Sequence, residues 1–218
     1  MSRRNRTAIS VSPTAPLLLA LFVMLSSPLL LSALLLAAIL HELGHYWVLR
    51  RLHARVTAIR ITALGAEMQV AGRLSYGGEL LAAAAGPAVN LALALMLGYG
   101  GRLWSPLYLF AGAQLVLGVF NLLPVLPLDG GSLLWNLAAW LAEPYTADRV
   151  AGVVGFGVAA LLTLAAGAAL MLGGSPFLLL AAAGLLWHSI ASKCQEVFAA
   201  LTKNIKVRER RYHTEKVL

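Results

Sequence analysis

Long apolar blocks separated by short polar, glycine- or proline-bearing stretches dominate the chain. The first block, residues 8–27, is interrupted early by Ser10, Ser12, Pro13 and Thr14 and closes at Ser26-Ser27-Pro28. Further blocks cover residues 29–52, 78–99, 105–122, 149–172 and 177–192, and Gly173-Gly174-Ser175-Pro176 forms a tight turn before the last. A membrane-spanning helix needs about 20 predominantly apolar residues, so the pattern predicts about six transmembrane helices. Between the second and third blocks the period changes. Ile59-Arg60-Ile61-Thr62 and Ala66-Glu67-Met68-Gln69-Val70 alternate, with a glycine turn at Ala63-Leu64-Gly65. That is the pattern of a β-hairpin.

Composition agrees with the blocks. The 218 residues are 60% hydrophobic and 12% charged, with a mean hydropathy of +0.79. A soluble domain carries about 25% charged residues, and so little polar surface cannot cover a water-soluble fold. The expected class is an all-α polytopic membrane protein with one hairpin. A basic start followed by an apolar stretch resembles a signal peptide, but the apolar character runs on without a clear small-x-small cleavage site, which predicts a retained anchor.

The net charge of +8 changes the orientation, not the class. Arg3, Arg4 and Arg6 open the chain, Arg50, Arg51 and Arg55 follow the second block, and Lys203, Lys206, Arg208, Arg210 and Arg211 crowd the tail. Basic residues flanking apolar blocks mark the cytosolic side, so both termini are expected there and nucleic acid is not an expected partner. Arg102 is the main exception, in a short external loop. The chain divides into an intramembrane domain, residues 1–192, and a basic cytosolic tail, residues 193–218. Cys194 is the single cysteine, which excludes an intrachain disulfide and a thiolate zinc cluster.

The candidate chemistry lies in the second block, at His41-Glu42-Leu43-Gly44-His45. Histidines four apart share one helix face and can hold one metal ion. Glu42 points about 100° away from His41, which suits a proton acceptor for a metal-activated water rather than a ligand. Ionisable residues inside a membrane are costly, so the cluster is a functional-site hypothesis by default. Catalytic zinc usually takes three protein ligands and a water. Asp129, Glu67, Glu79, His53 and His188 can supply the third, and Asp129 is favoured. It ends the segment Asn121-Leu122-Leu123-Pro124-Val125-Leu126-Pro127-Leu128-Asp129-Gly130-Gly131, whose prolines and glycines forbid a regular helix at membrane depth. A carboxylate there needs a partner. The reaction class this set implies is metal-assisted hydrolysis of a carbonyl compound, foremost a peptide bond.

His41-Glu42-Leu43-Gly44-His45, Gly86-Pro87-Ala88-Val89-Asn90 and the segment from Asn121 to Gly131 together resemble the three signatures of the site-2 protease family of intramembrane zinc metalloproteases. The resemblance covers residues 8–192 and is nearest the branch of sporulation sigma-factor processing proteases. It implies Zn2+ as cofactor, His41, His45 and Asp129 as ligands, and Glu42 as the catalytic residue. It further implies Asn121 in substrate binding or oxyanion stabilisation, Asn90 in support of the substrate-binding site, and a membrane-reentrant hairpin near residues 56–74. The implied partners are the lipid bilayer and a membrane-protein substrate, such as an anti-sigma factor, a pro-sigma factor or a remnant signal peptide, cut in regulated proteolysis. Two departures stand out. Ser132 follows the glycine pair where that branch commonly has arginine, and the tail is too short for the branch's nucleotide-sensing domain. A zinc-binding or transport protein would place ligands along a path across the bilayer, whereas this chain shows one cluster. A catalytically inactive membrane scaffold would not need Glu42 and all three ligands intact.

Overall fold

The computed structural model describes residues 8–12, 16, 27–62, 65–72, 74–174 and 178–191. In chain order the elements are β1 (Ala8–Val11), α1 (Pro28–Arg51), β2 (Arg55–Thr62), β3 (Gly65–Ala71), α2 (Tyr76–Gly100), α3 (Leu107–Asn121), α4 (Asp129–Leu141) and α5 (Pro144–Met171). A further apolar helix, α6, covers Leu178–Ala191.

Three of these helices, α1, α2 and α5, are long and apolar enough to cross a membrane, with mean hydropathies of 1.5, 2.0 and 2.2 over their most apolar stretches. Their outward faces carry Leu36, Ile39 and Leu43 on α1, Leu95 and Met96 on α2, and Leu161 and Leu164 on α5, all exposed. In water such contiguous apolar surface would mark an interface; against acyl chains it is ordinary. The helices α3 and α6 are apolar but shorter. The first expected span corrects at its start. Residues 8–11 form a strand, not a helix, and most of the remainder of that block lies outside the described residues. Ala8-Ile9-Ser10-Val11 alternates like a strand, and Ser12 continues the pairing by donating its N–H to the Ile61 carbonyl at 2.8 Å.

The hairpin forms as β2 and β3, antiparallel with Ile59 opposite Met68 and Arg60 opposite Glu67. It is part of a larger sheet than the alternation predicts, because β1 pairs parallel with β2, Ala8 against Ala58. The basic tail lies outside the described residues.

Small residues let the helices approach closely, as membrane helix packing requires. A Cβ added at Gly44 of α1 would lie 2.9 Å from the Ala85 carbonyl oxygen of α2. Gly118 of α3 similarly meets Asn90 of α2, where an added Cβ would be 3.0 Å from the asparagine Cβ. Ala33 and Ala37 of α1 pack with Ala113 of α3. The irregular segment between α3 and α4 is enclosed rather than lipid-facing: Val125 and Leu128 are buried against Ala159 of α5 and Leu185 of α6. That enclosure is what allows non-helical backbone at such depth. Gly130 and Gly131 are needed for it, since Cβ atoms there would collide with the backbone of Leu122 and Leu123 and of Val125 and Leu126 respectively.

Candidate metal centre

Three elements meet at the site. α1 presents His41 and His45 one turn apart, α2 packs across them, and the irregular segment delivers Asp129 at the start of α4. The Asp129 Oδ2 atom lies 2.9 Å from His41 Nε2 and 3.3 Å from His45 Nε2. The two Nε2 atoms are 3.1 Å apart. Among the described residues, this is the one group of three or more His, Cys, Asp or Glu whose ligand atoms converge, all within 4.8 Å of one another.

The other ring nitrogens settle what those atoms can do. His41 Nδ1 lies 3.1 Å from Asn90 Oδ1. Asn90 Nδ2 donates to the Ala37 carbonyl at 3.5 Å, which fixes the amide with its oxygen toward the ring. An amide oxygen only accepts, so His41 Nδ1 carries the proton. His45 Nδ1 donates to the Ala82 carbonyl at 2.7 Å. With both Nδ1 atoms engaged in this way, the two Nε2 atoms face Asp129 Oδ2, a buried oxygen with no hydrogen-bond partner among the described residues. With neutral rings these are three converging acceptors, an arrangement that a cation among them stabilises. The donor set, two imidazole nitrogens and a carboxylate oxygen, is that of a catalytic zinc with one position left for water. Space agrees with chemistry: a Cβ on Gly86 of α2 would press on His45 Nε2 and lie 2.7 Å from His41 Nε2. Only the missing side chain of Gly86 leaves the ligand atoms open. Pro87, the next residue, leaves the Ala83 carbonyl without its intrahelical donor, and the neighbouring Ala82 carbonyl accepts a hydrogen bond from His45 Nδ1.

Glu42 and Asn121 line the cavity in front of this cluster, of about 370 Å³, together with Thr62, Met68 and Val70 of the hairpin. Asn121 donates Nδ2 to its own helix at Leu117 O, 3.0 Å away. Asn90 has no exposed surface. Its side-chain oxygen faces His41 and can hold that ring in place. Of the alternative third ligands, Glu79 lines the cavity without joining the converging cluster, and His53 is exposed at the end of α1. His188 lies in α6 and outside the cluster, and the side chain of Glu67 is outside the described residues. The sequence pattern places Gly86 in a motif without showing its role beside the histidines, and it does not show the Ala82 carbonyl.

Asn90→Ala leaves the His41 ring free to rotate and to change tautomer. Loss of such a supporting hydrogen bond usually costs about 10–100-fold in metal affinity. Zinc competition with a chelator of known affinity should read that loss, while Asn90→Asp, which keeps the acceptor, should retain most of the binding.

Residues 99–165, which include Asn121 and Asp129 but not the histidine pair, match the family model described as Peptidase family M50. The chain is 28% identical to a zinc metalloprotease of Methanocaldococcus jannaschii over 141 residues, 60% of this chain and 40% of that protein. It is 37% identical over 122 residues to a Mycobacterium tuberculosis protein named as zinc metalloprotease Rip3, covering 47% of this chain and 29% of the other. The chain thus spans less than half the length of these relatives. Its fold is similar to that of the solved site-2 protease from Methanocaldococcus jannaschii, with a TM-score of 0.66 at 23% identity, over 88% of this chain and 92% of that one.

Proposed function

We propose that the chain belongs to peptidase family M50, the site-2 protease family, and is an intramembrane zinc metalloendopeptidase acting on membrane-embedded or membrane-associated proteins. One observation carries the reading: two imidazole Nε2 atoms and an orphaned carboxylate oxygen converge in a membrane-helix bundle, with a glutamate beside them. His41, His45 and Asp129 would hold the ion. Zinc, when bound, supplies a Lewis acid that polarises a carbonyl and acidifies water. Glu42 takes a proton from water and passes it to the leaving amine. Asn121 donates an amide N–H to the carbonyl oxygen as it gains charge. Asn90 and the Ala82 carbonyl hold the rings, and α2 and the buried segment before α4 shield the cluster. The hairpin wall suits a substrate that has unwound, since a peptide bond inside a helix is not accessible to attack and an extended peptide can pair with a strand edge.

Cleavage of a quenched single-span peptide in liposomes tests the function. A strong chelator should abolish turnover by the purified protein, and zinc should restore it. Turnover that survives metal removal would reject the reading.

The proposal extends to topology. The domain covers residues 1–192 and crosses the membrane about six times with a reentrant hairpin, both termini are cytosolic, and the catalytic cluster sits toward the cytosolic end of α1. Sporulation-type pro-sigma factors, anti-sigma factors and remnant signal peptides are the substrate classes proposed. In a Cys194→Ser background, a cysteine at Arg55 should label only from the cytosol and one at Arg102 only from outside. The opposite pattern would invert the proposed orientation.

A further inference from the structure

The cavity wall beyond the metal cluster carries chemistry that holding zinc and hydrolysing a bond do not use. Among the described residues that line it are three carboxylates, Glu42, Asp129 and Glu79, and no lysine or arginine. Three negative charges against one dication leave the loaded cavity one unit negative. Glu79 lies on α2, seven residues before Gly86, and Asn136 lies on α4, seven residues after Asp129. At a rise of ~1.5 Å per residue, each is about 10 Å along its helix from the metal cluster. Seven residues is close to two full turns, so each lies on the same stripe as its partner at the metal.

The two helices bring these residues to one level. Tyr76 at the start of α2 stacks at a tilt on Trp135 of α4, with ring centroids 6.4 Å apart. Glu79 follows Tyr76 by about one turn, and Asn136 follows Trp135 directly. Asn136 is 6% exposed and lines the cavity. Its Nδ2 is committed to the Ser132 carbonyl at 3.0 Å, while its Oδ1 is buried with no hydrogen-bond partner among the described residues. An unpaired buried acceptor calls for a donor. The helix dipole favours an acid near the start of α2, but it does not explain why that acid faces the cavity at the level of an amide with an unused oxygen.

We propose that Glu79 and Asn136 form a subsite for the cationic side chain of a substrate lysine or arginine, roughly three residues of extended chain from the scissile bond. The charged group offered is a carboxylate and the unpaired atom beside it is an amide oxygen, so a multi-donor cation fits better than an acidic or apolar side chain. The substrate class agrees with the proposed topology, because membrane spans carry their lysines and arginines on the cytosolic flank. The subsite rests on the protease reading and narrows it to bonds near such a flank.

The test uses the zinc-loaded full chain in liposomes and a pool of single-span peptides with mixed sequence beside the span, with norleucine as the uncharged counterpart of lysine. Mass spectrometry of the products reads the residue frequencies around each cut. Lysine and arginine should exceed norleucine by about tenfold at roughly two to four residues from the cut bond. Glu79→Gln should bring that ratio near one, Glu79→Lys should turn it toward aspartate and glutamate, and Asn136→Asp should raise it. Cleavage by the wild type without a cationic preference, or an unchanged preference in both Glu79 variants, overturns the subsite and leaves the protease reading standing. Absence of cleavage by the zinc-loaded wild type overturns the protease reading, and the subsite with it.

Discussion

Gly86→Ala should empty the metal centre. The wild type is expected to hold about one zinc per chain, and the variant close to none. The added methyl group would occupy the place where the two histidine ligand atoms converge, pressing on His45 Nε2 and lying 2.7 Å from His41 Nε2. The rings cannot swing aside freely, because His41 is held by Asn90 and His45 by the Ala82 carbonyl. Relief by moving α2 is blocked on the same face, where Gly44 already meets Ala85 closely. The fold itself should survive. Alanine is a better helix former than glycine by ~1 kcal/mol, so a purely local backbone effect would leave the protein as stable or more so. Loss of zinc with unchanged helical signal and unchanged detergent stability is therefore the signature of a blocked cradle. A variant that keeps full zinc occupancy would show that the ion sits elsewhere.

Gly86 also shows where the sequence falls silent. The four-residue spacing of His41 and His45 and the carboxylate Asp129 in a segment that cannot be helical are local signals, so these three residues could be singled out before any fold, and the structure brings their side chains together. The closeness of α2 to those rings is tertiary, and nothing local distinguishes Gly86 from a packing glycine. The same limit applies to β1. Four residues pair with β2 in parallel register across a gap of some fifty positions, Ala8 to Ala58, and a run so short beside an apolar block reads as the start of a helix. The start of α5 was misplaced for a different reason. The helix begins at Pro144, where proline's missing N–H costs nothing, whereas its polar start, including Thr146, Asp148 and Arg149, placed the expected boundary near 149. The hairpin was visible because period-two alternation is local, and its third strand was not.

Glu42→Gln and Asp129→Asn should both destroy turnover, for different reasons. Glutamine keeps the size of Glu42 but cannot accept a proton, so the rate should fall by about two to four powers of ten, the usual scale for a general base. Glu42 lines the cavity without belonging to the converging cluster, so its replacement leaves the ion's donors in place. Asp129 contributes the oxygen that faces both imidazoles. Asparagine there turns either a neutral oxygen toward the ion, a poorer donor than a carboxylate, or an NH2 group. The NH2 group would donate into the Nε2 lone pairs and close the site.

Zinc retained after mild chelation of these two variants, both of them inactive, is the measurement that bears most directly on the centre. Glu42→Gln is expected to keep a zinc content close to the wild type, about one ion per chain, and Asp129→Asn to lose it. Retention by Asp129→Asn together with loss from Glu42→Gln would contradict the assignment of ligand and proton acceptor.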